Sequence, residues 1–303
     1  MRSIKMKIQI ARNDLFIPET IKSKIFNYVS EALNSITTQN NQFIVNDTLC
    51  FRKQGRGNKV TPCVMNSASY MSSIFQESLA SLPNCYGETT INNQSFDGMI
   101  HIDYDGFGFE ITEKDNILKV THQYIYINKL PSNRVYTLFP MFYGMFVDRS
   151  FFDINFLPEY LHHFFTKKSL RTTIKVGVEF ETGNIASSFR AINKLYGLYQ
   201  SGFIDIGVLV TSIDKPNCAT RIWPVSNRNG SFQELNQRNY EEQVSLPLIG
   251  VGFSPDSFSN KAPFFDATGS LYYLTYTGSI SDCGIFKKYI GNNSEEILIP
   301  IHS

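Results

Sequence analysis

The 303-residue chain contains no apolar run long enough to cross a bilayer, which takes about 20 residues as a helix. Its first residues, MRSIKMKIQI, lack an apolar core followed by a small-residue cleavage site. These two absences predict a protein that is neither secreted nor membrane-bound, and so a cytoplasmic one. Cysteine is sparse: Cys50, Cys63, Cys85, Cys218 and Cys283 are odd in number, irregularly spaced and without a CxxC pair. That pattern argues against a disulfide framework or a zinc site and predicts reduced, mostly buried thiols. Histidine offers no ligand face, because the adjacent His162 and His163 would point about 100° apart on a helix. Internal repeats, low-complexity tracts and Gly/Ser/Pro linkers are also missing. With 42% apolar residues, the chain is expected to form one compact unit.

A strong charge bias is missing too, since the formal net charge is +1. A near-neutral total does not exclude a nucleic-acid partner when charge is segregated along the chain. FRKQGRGNKV (51–60) carries Arg52, Lys53, Arg56 and Lys59 with no acid, and KKSLRTTIK (167–175) carries Lys167, Lys168, Arg171 and Lys175 with none. Each run reads equally as a phosphate-lining segment or a solvated loop.

The segment KVGVEFETGNIASSFRAINKL (175–195) is the most informative stretch present. On a strand, Glu179 and Glu181 fall on one face, so two anions share a small volume. Neighbouring carboxylates resist joint ionisation unless a cation lies between them, and a divalent metal satisfies that need. Thr182, Gly183 and Asn184 supply turn and cap chemistry. Ile185, Phe189, Ile192, Tyr196 and Tyr199 then recur at helical spacing. Gly202 marks the next turn, and FIDIGVLVTS (203–212) reads as a strand, which predicts strand, helix, strand with parallel pairing.

These residues resemble the BamHI-like type II restriction endonucleases, whose core carries GxEFETGNxxSxxRxxNKL followed by a GxID strand. The matching positions are Gly177, Glu179, Phe180, Glu181, Thr182, Gly183, Asn184, Ser187, Arg190, Asn193, Lys194 and Leu195, then Gly202, Ile204 and Asp205. SNRNGSFQEL (226–235) and PLIGVGFSPDSFSNKAP (247–263) resemble later blocks of the family. The resemblance implies a metal-dependent, sequence-specific endonuclease acting on double-stranded DNA, with Mg2+ as cofactor and a homodimer as the assembly. It implies an α/β fold of the restriction-endonuclease type, a central mixed sheet flanked by helices. In that frame an upstream Asp, Glu179 and the Phe180 carbonyl hold the metal, and Glu181 is the general base or a second ligand.

Asp153 in FFDINFLPEYL resembles the family's upstream acid, with Asp148 as the alternative. Asp103, Asp105 and Glu110 in HIDYDGFGFEI imitate a metal set but read as a surface hairpin. Glu77 is a candidate for an additional acid that the family brings from an N-terminal helix. Asn184, Ser187, Arg190, Lys194, Asn227 and Arg228 are the implied DNA contacts. Asn227 stands where the family has Asp, Ala186 where it has Ser, and Leu271 near a base-proximal Asp, so a different recognition sequence is expected.

Along the chain, residues 1–83 read as an N-terminal helical and strand part, with helices over 16–36 and 67–82. Residues 84–147 read as a β-rich insertion of strands GMIHIDYDGFGFEI, ILKVTHQYIYI and RVYTLFPMF. Residues 148–303 form the catalytic core, DNA-reading loops and a C-terminal extension. The competing readings are one subunit of a heteromeric enzyme for an asymmetric site, and a DNA-binding protein with a vestigial centre.

Overall fold

The computed structural model describes residues 17–54, 59–91, 93–111, 117–130, 154–182, 185–214, 222–223, 231–237, 244 and 246–301. Pro18 precedes α1 (Glu19–Asn34), where a fixed φ suits a helix start. Ile21, Ile25, Val29 and Leu33, which recur at helical spacing, are buried along one side of it, as is Ile36 just beyond. Short strands follow: β1 (Ile44–Val45), β2 (Phe51–Gln54) and β3 (Lys59–Pro62). The Ser67 side chain accepts the Ser69 N–H and caps α2 (Ala68–Ala80), which packs on α1.

Next come β4 (Cys85–Tyr86), β5 (Thr89–Ile91), β6 (Gln94–Phe96) and the long β7 (Gly98–Ile111). ILKVTHQYIYI, expected as a strand, is instead helix α3 (Ile117–Ile127). Its β-branched residues suggested alternation, but among its described side chains Thr121 and Ile125, one helical turn apart, are buried. RVYTLFPMF lies outside the described residues. Two 3-10 turns (Ile154–Phe156 and Glu159–Phe164) lead into β8 (Phe165–Phe180). His162 and His163 bond to backbone carbonyls of Leu157 and Tyr160 in these turns, the structural role expected of them.

The chain continues through α4 (Ile185–Gln200), β9 (Ile206–Ser212), α5 (Phe232–Gln237) and β10 (Leu248–Phe253). The main sheet has the order β10-β9-β8-β7-β4, with β8, β9 and β10 parallel and β7 antiparallel to both β8 and β4. It is the mixed sheet expected, and β8-α4-β9 is the expected parallel crossover. One face packs Ile100, Val176, Val178 and Phe180 against α1 and α2; the other packs Leu209 and Leu248 against Leu195 and Leu198 of α4.

All fourteen residues of β7 pair with β8, from Gly98 opposite Val178 to Ile111 opposite Phe165. Residues 98–111 were expected inside an insertion over 84–147, yet β7 is the direct neighbour of the ExE strand in the main sheet. Among its described residues that block is therefore core at its root, where β4 and β7 join the main sheet, and the distal part of the β7–β8 ribbon runs on beyond the other strands.

The C-terminal strands are β11 (Ser257–Phe258), β12 (Phe264–Phe265), β13 (Leu271–Tyr272), β14 (Thr275–Ile280), β15 (Phe286–Ile290) and β16 (Glu296–Pro300). β14, β15 and β16 join β2 and β3 in a second, antiparallel sheet over a small core of Cys50, Cys63, Phe264 and Ile297. Cys85 is also buried, Cys283 is exposed, and Cys218 lies outside the described residues. None of the described helices is long and apolar enough to cross a membrane.

Candidate nuclease centre

Alternation along β8 turns Val178 and Phe180 into the α1/α2 side of the core and turns Gly177 and Glu179 toward α4. Phe180 is wedged between the rings of Phe75 and Phe253, 5.0 and 5.2 Å away, which fixes the strand end that carries the glutamates. Gly177 pairs in register with Gly207. A Cβ on Gly177 would lie 3.0 Å from Leu195 Cδ2, and one on Gly207 3.3 Å from Leu195 Cδ1, so the glycine pair lets α4 sit close on the sheet. Asp205, one of the matched positions, is a structural clamp: its carboxylate accepts the Lys175 N–H at 2.8 Å and its N–H donates to the Lys175 carbonyl at 2.7 Å.

That close approach delivers Lys194 to Glu179. Nζ lies 2.5 Å from Glu179 Oε1 and donates to the Ser95 carbonyl at 2.6 Å. Glu179 is 5% exposed. Burial pushes its carboxyl up to about 7; Lys194 works against the rise, and the charges of Asp97 and Glu181 add to it. Glu179, Glu181, Ser187, Arg190, Ala191 and Lys194 line a cavity of about 270 Å³. Arg190 Nη2 donates to the Ser187 hydroxyl at 3.2 Å on the wall of that cavity.

The upstream acid that meets Glu179 is Asp97, which sequence reasoning missed. Asp97 immediately precedes β7, and the register that sets Gly98 opposite Val178 puts it across from Glu179. Its Oδ2 accepts the Phe180 N–H at 2.7 Å and its Oδ1 accepts Gln76 Nε2 at 2.7 Å. Asp153 and Asp148 lie outside the described residues. From α2 it is Gln76 that reaches the centre, while the neighbouring Glu77 is exposed. A signal for Asp97 was present: SFDG opens an alternating run whose length matches that of the run ending in VEFE, as an antiparallel pair requires.

The donors at this corner are all oxygen: carboxylates of Asp97, Glu179 and Glu181 and the Phe180 carbonyl, a set suited to a hard divalent cation. Each Asp97 oxygen keeps a lone pair beyond its present hydrogen bond. Among the described residues no three His, Cys, Asp or Glu side chains are already gathered around one point, and Glu179 faces the Lys194 ammonium.

Of the implied DNA contacts, Ser187, Arg190 and Lys194 share one wall of the cavity. Asn184, Asn227 and Arg228 lie outside the described residues, as does Gly183. Two of the four cations of the basic run 167–175 are paired across the ribbon: Lys168 with Glu110 and Arg171 with Asp105, both at 2.6 Å, while Lys167 lies over the Phe107 ring and Thr173 donates to Asp103 at 3.1 Å. Asp103, Asp105 and Glu110 lie on the surface as expected, but not on a hairpin: they belong to one continuous strand, β7, whose partner β8 is remote in sequence. Of the other basic run, Arg52 pairs with Glu295 at 3.3 Å, and residues 55–58 lie outside the described residues.

Residues 159–267 match the family model described as Restriction endonuclease BamHI. Over this stretch the chain is BamHI-like. Similarity to a curated protein runs in the same direction: the type II restriction enzyme BamHI of Bacillus amyloliquefaciens is 32% identical over 89 residues. That alignment covers 29% of this chain and 39% of the enzyme, so the chain spans well under half the length of its BamHI relative. The BamHI-like stretch contains β8, α4, β9 and β10 and therefore Glu179, Glu181 and Lys194. Asp97 and Gln76 come from outside it, brought in by the β7–β8 ladder and by α2.

Proposed function

We propose that the chain is a type II restriction endonuclease, hydrolysing phosphodiester bonds of double-stranded DNA at a specific sequence with Mg2+. The observation that carries this reading is the meeting of Asp97 with Glu179 across the β7–β8 pair, inside a centre whose ExE strand and following helix are BamHI-like. Asp97, Glu179 and the Phe180 carbonyl would hold the cation. When bound, it supplies charge neutralisation at the phosphate oxygens and a water of lowered pKa.

The chain's own residues do the rest. Glu181, two positions on along the same face, takes the proton from the attacking water. The Phe180 N–H and Gln76 fix the Asp97 carboxylate from two sides, so its orientation is set before substrate arrives. Arg190 and Lys194, on the cavity wall, face the incoming phosphodiester with positive charge. Asn184, Ser187, Asn227 and Arg228 are the proposed sequence readers and backbone contacts, and the replacement of the family's Asp by Asn227 points to a recognition sequence other than that of BamHI. Asp97 takes the ligand role first considered for Asp153.

A homodimer suits this reading, because a two-fold assembly reads a palindromic site. The apolar stripe of α4 does not by itself call for a partner. Ile192, Leu195, Leu198 and Tyr199 are consumed by the protomer's own core, and among the described side chains of the stripe Phe189 is exposed. Light scattering is expected to give twice the chain mass on DNA; a monomer both free and bound would favour the heteromeric form.

The test of activity is incubation with unmethylated phage DNA and magnesium. Discrete bands are expected, and sequencing their ends gives the site. Intact DNA across a panel of unmethylated substrates would overturn the reading in favour of a vestigial centre.

A further inference from the structure

We infer that Lys194 is the resident counter-cation of Glu179, its ammonium holding the place beside Oε1 that a divalent cation needs, so that cation binding in the DNA-free protein competes with this side chain. The inference rests on the metal-dependent reading above and goes beyond it by naming the residue that controls cation access. Two oxygens hold the ammonium: it is ion-paired with Glu179 Oε1 at 2.5 Å and donates a hydrogen bond to the Ser95 carbonyl at 2.6 Å. The carboxylate is enclosed, with its side chain 7% exposed, whereas that of Lys194 is 28% exposed. The lysine is therefore the more solvent-accessible member of the pair, and Glu179 is approached through the cavity that it lines.

A magnesium ion sits about 2.0–2.1 Å from a carboxylate oxygen. An ammonium already 2.5 Å from the same oxygen cannot remain there without a close like-charge contact beside a largely buried carboxylate. The cavity gives the displaced ammonium somewhere to go, since it lies against Glu181, Ser187 and Arg190 and is about 270 Å³ in volume. A DNA phosphate entering that cavity would offer Lys194 a second anionic partner. DNA binding and cation binding would then favour each other through one side chain.

The arrangement also accounts for a resting site that tolerates three neighbouring acids. The buried carboxylate is paired from within the fold, and α4 is locked to β6 by the same ammonium. Arg190, one helical turn earlier, hydrogen-bonds to Ser187 instead.

The test uses calcium and the DNA-free full chain, read by calorimetry and by NMR of 15N-labelled lysine ammonium groups. Lys194→Met keeps the length of the side chain and removes the charge. It is expected to bind calcium about tenfold or more tightly than the unmodified protein, because the fraction of competent sites rises. In the unmodified protein the Lys194 ammonium signal is expected to shift as calcium saturates. That second measurement needs no variant, so misfolding of Lys194→Met leaves the inference testable. Calcium binding with an unmoved Lys194 signal, or a Met variant within about twofold of the unmodified affinity, overturns the Lys194 role and leaves the metal reading standing. Absence of calcium binding in both proteins overturns the two together.

Discussion

Arg171 and Asp105, far out on the β7–β8 ribbon, meet at 2.6 Å with side chains 85% and 70% exposed. Lys194 and Glu179, at the root of the same ribbon, meet at 2.5 Å with the glutamate side chain 7% exposed. The contact distances are alike and the environments are opposite. In water the outer pair is screened and contributes about 0–1 kcal/mol. At the root, desolvation raises the Glu179 carboxyl, and its neighbours are two more acids, an energetic cost that an ordinary fold would avoid. One ladder therefore carries two kinds of charge, one that neutralises a surface and one that makes a site.

The largest expected effect separates the two ends by activity. Glu179→Ala should lower cleavage about a thousandfold or more, since metal-assisted charge stabilisation is worth several kcal/mol. Specific DNA binding should survive, because it draws on phosphate and base contacts. Cleavage at the unmodified rate in magnesium would remove Glu179 from the centre and leave both ends of the ribbon with surface-type charge.

Asp97→Asn is next. Asn still accepts the Phe180 N–H through its amide oxygen, and a turned Gln76 amide can accept from its NH2, so thermal stability should change by no more than about 1 kcal/mol while cleavage falls about a hundredfold or more. Asp153→Asn assayed in parallel decides between the two acids. A loss confined to the Asp153 variant would return the ligand role to that residue.

Glu179, Glu181, the strand–helix–strand order and the identity of Lys194 were readable in the sequence because they lie within one continuous stretch. Local pattern and spacing are enough there. Asp97 was not found, because its place depends on a long ladder whose two strands are separated by α3 and further connecting chain. A search for an acid close upstream of ExE therefore stopped at Asp153. The pairing of Lys168 and Arg171 was not legible in the sequence for a similar reason. Their neutralising partners Asp105 and Glu110 are remote in sequence and adjacent only through pairing. α3 was misassigned because its β-branched residues carry both periods, and the burial of Thr121 and Ile125 favoured the helical one.

Glycine positions sharpen the contrast in packing. A Cβ at Gly177 would meet Leu195 Cδ2 and Ile204 Cδ1 at 3.0 Å, both fully buried, so Gly177→Ala should destabilise by about 1–3 kcal/mol. A Cβ at Gly106 would meet the Tyr104 ring end, also at 3.0 Å, but that side chain is half-exposed and its contact is a hydrogen bond to the Phe107 carbonyl. Gly106→Ala should cost no more than about 0.5–1 kcal/mol, the worth of that bond. Urea denaturation midpoints at constant slope check both values. Equal costs at the two positions would mean that α4 can move away from Gly177 as freely as Tyr104 moves away from Gly106.

The smallest expected effect belongs to the ribbon pair itself. Arg171→Ala removes one half of an exposed ion pair and should change stability by less than about 1 kcal/mol. Because Asp105 already neutralises Arg171, the substitution should also leave the salt dependence of DNA binding unaltered. A residue that contacts phosphate would instead reduce the slope of log affinity against log salt by about one. Binding titrations from low to moderate salt measure that slope directly. A fall of one unit would show that Arg171 exchanges Asp105 for phosphate on DNA, and would make the ribbon part of the DNA-binding surface.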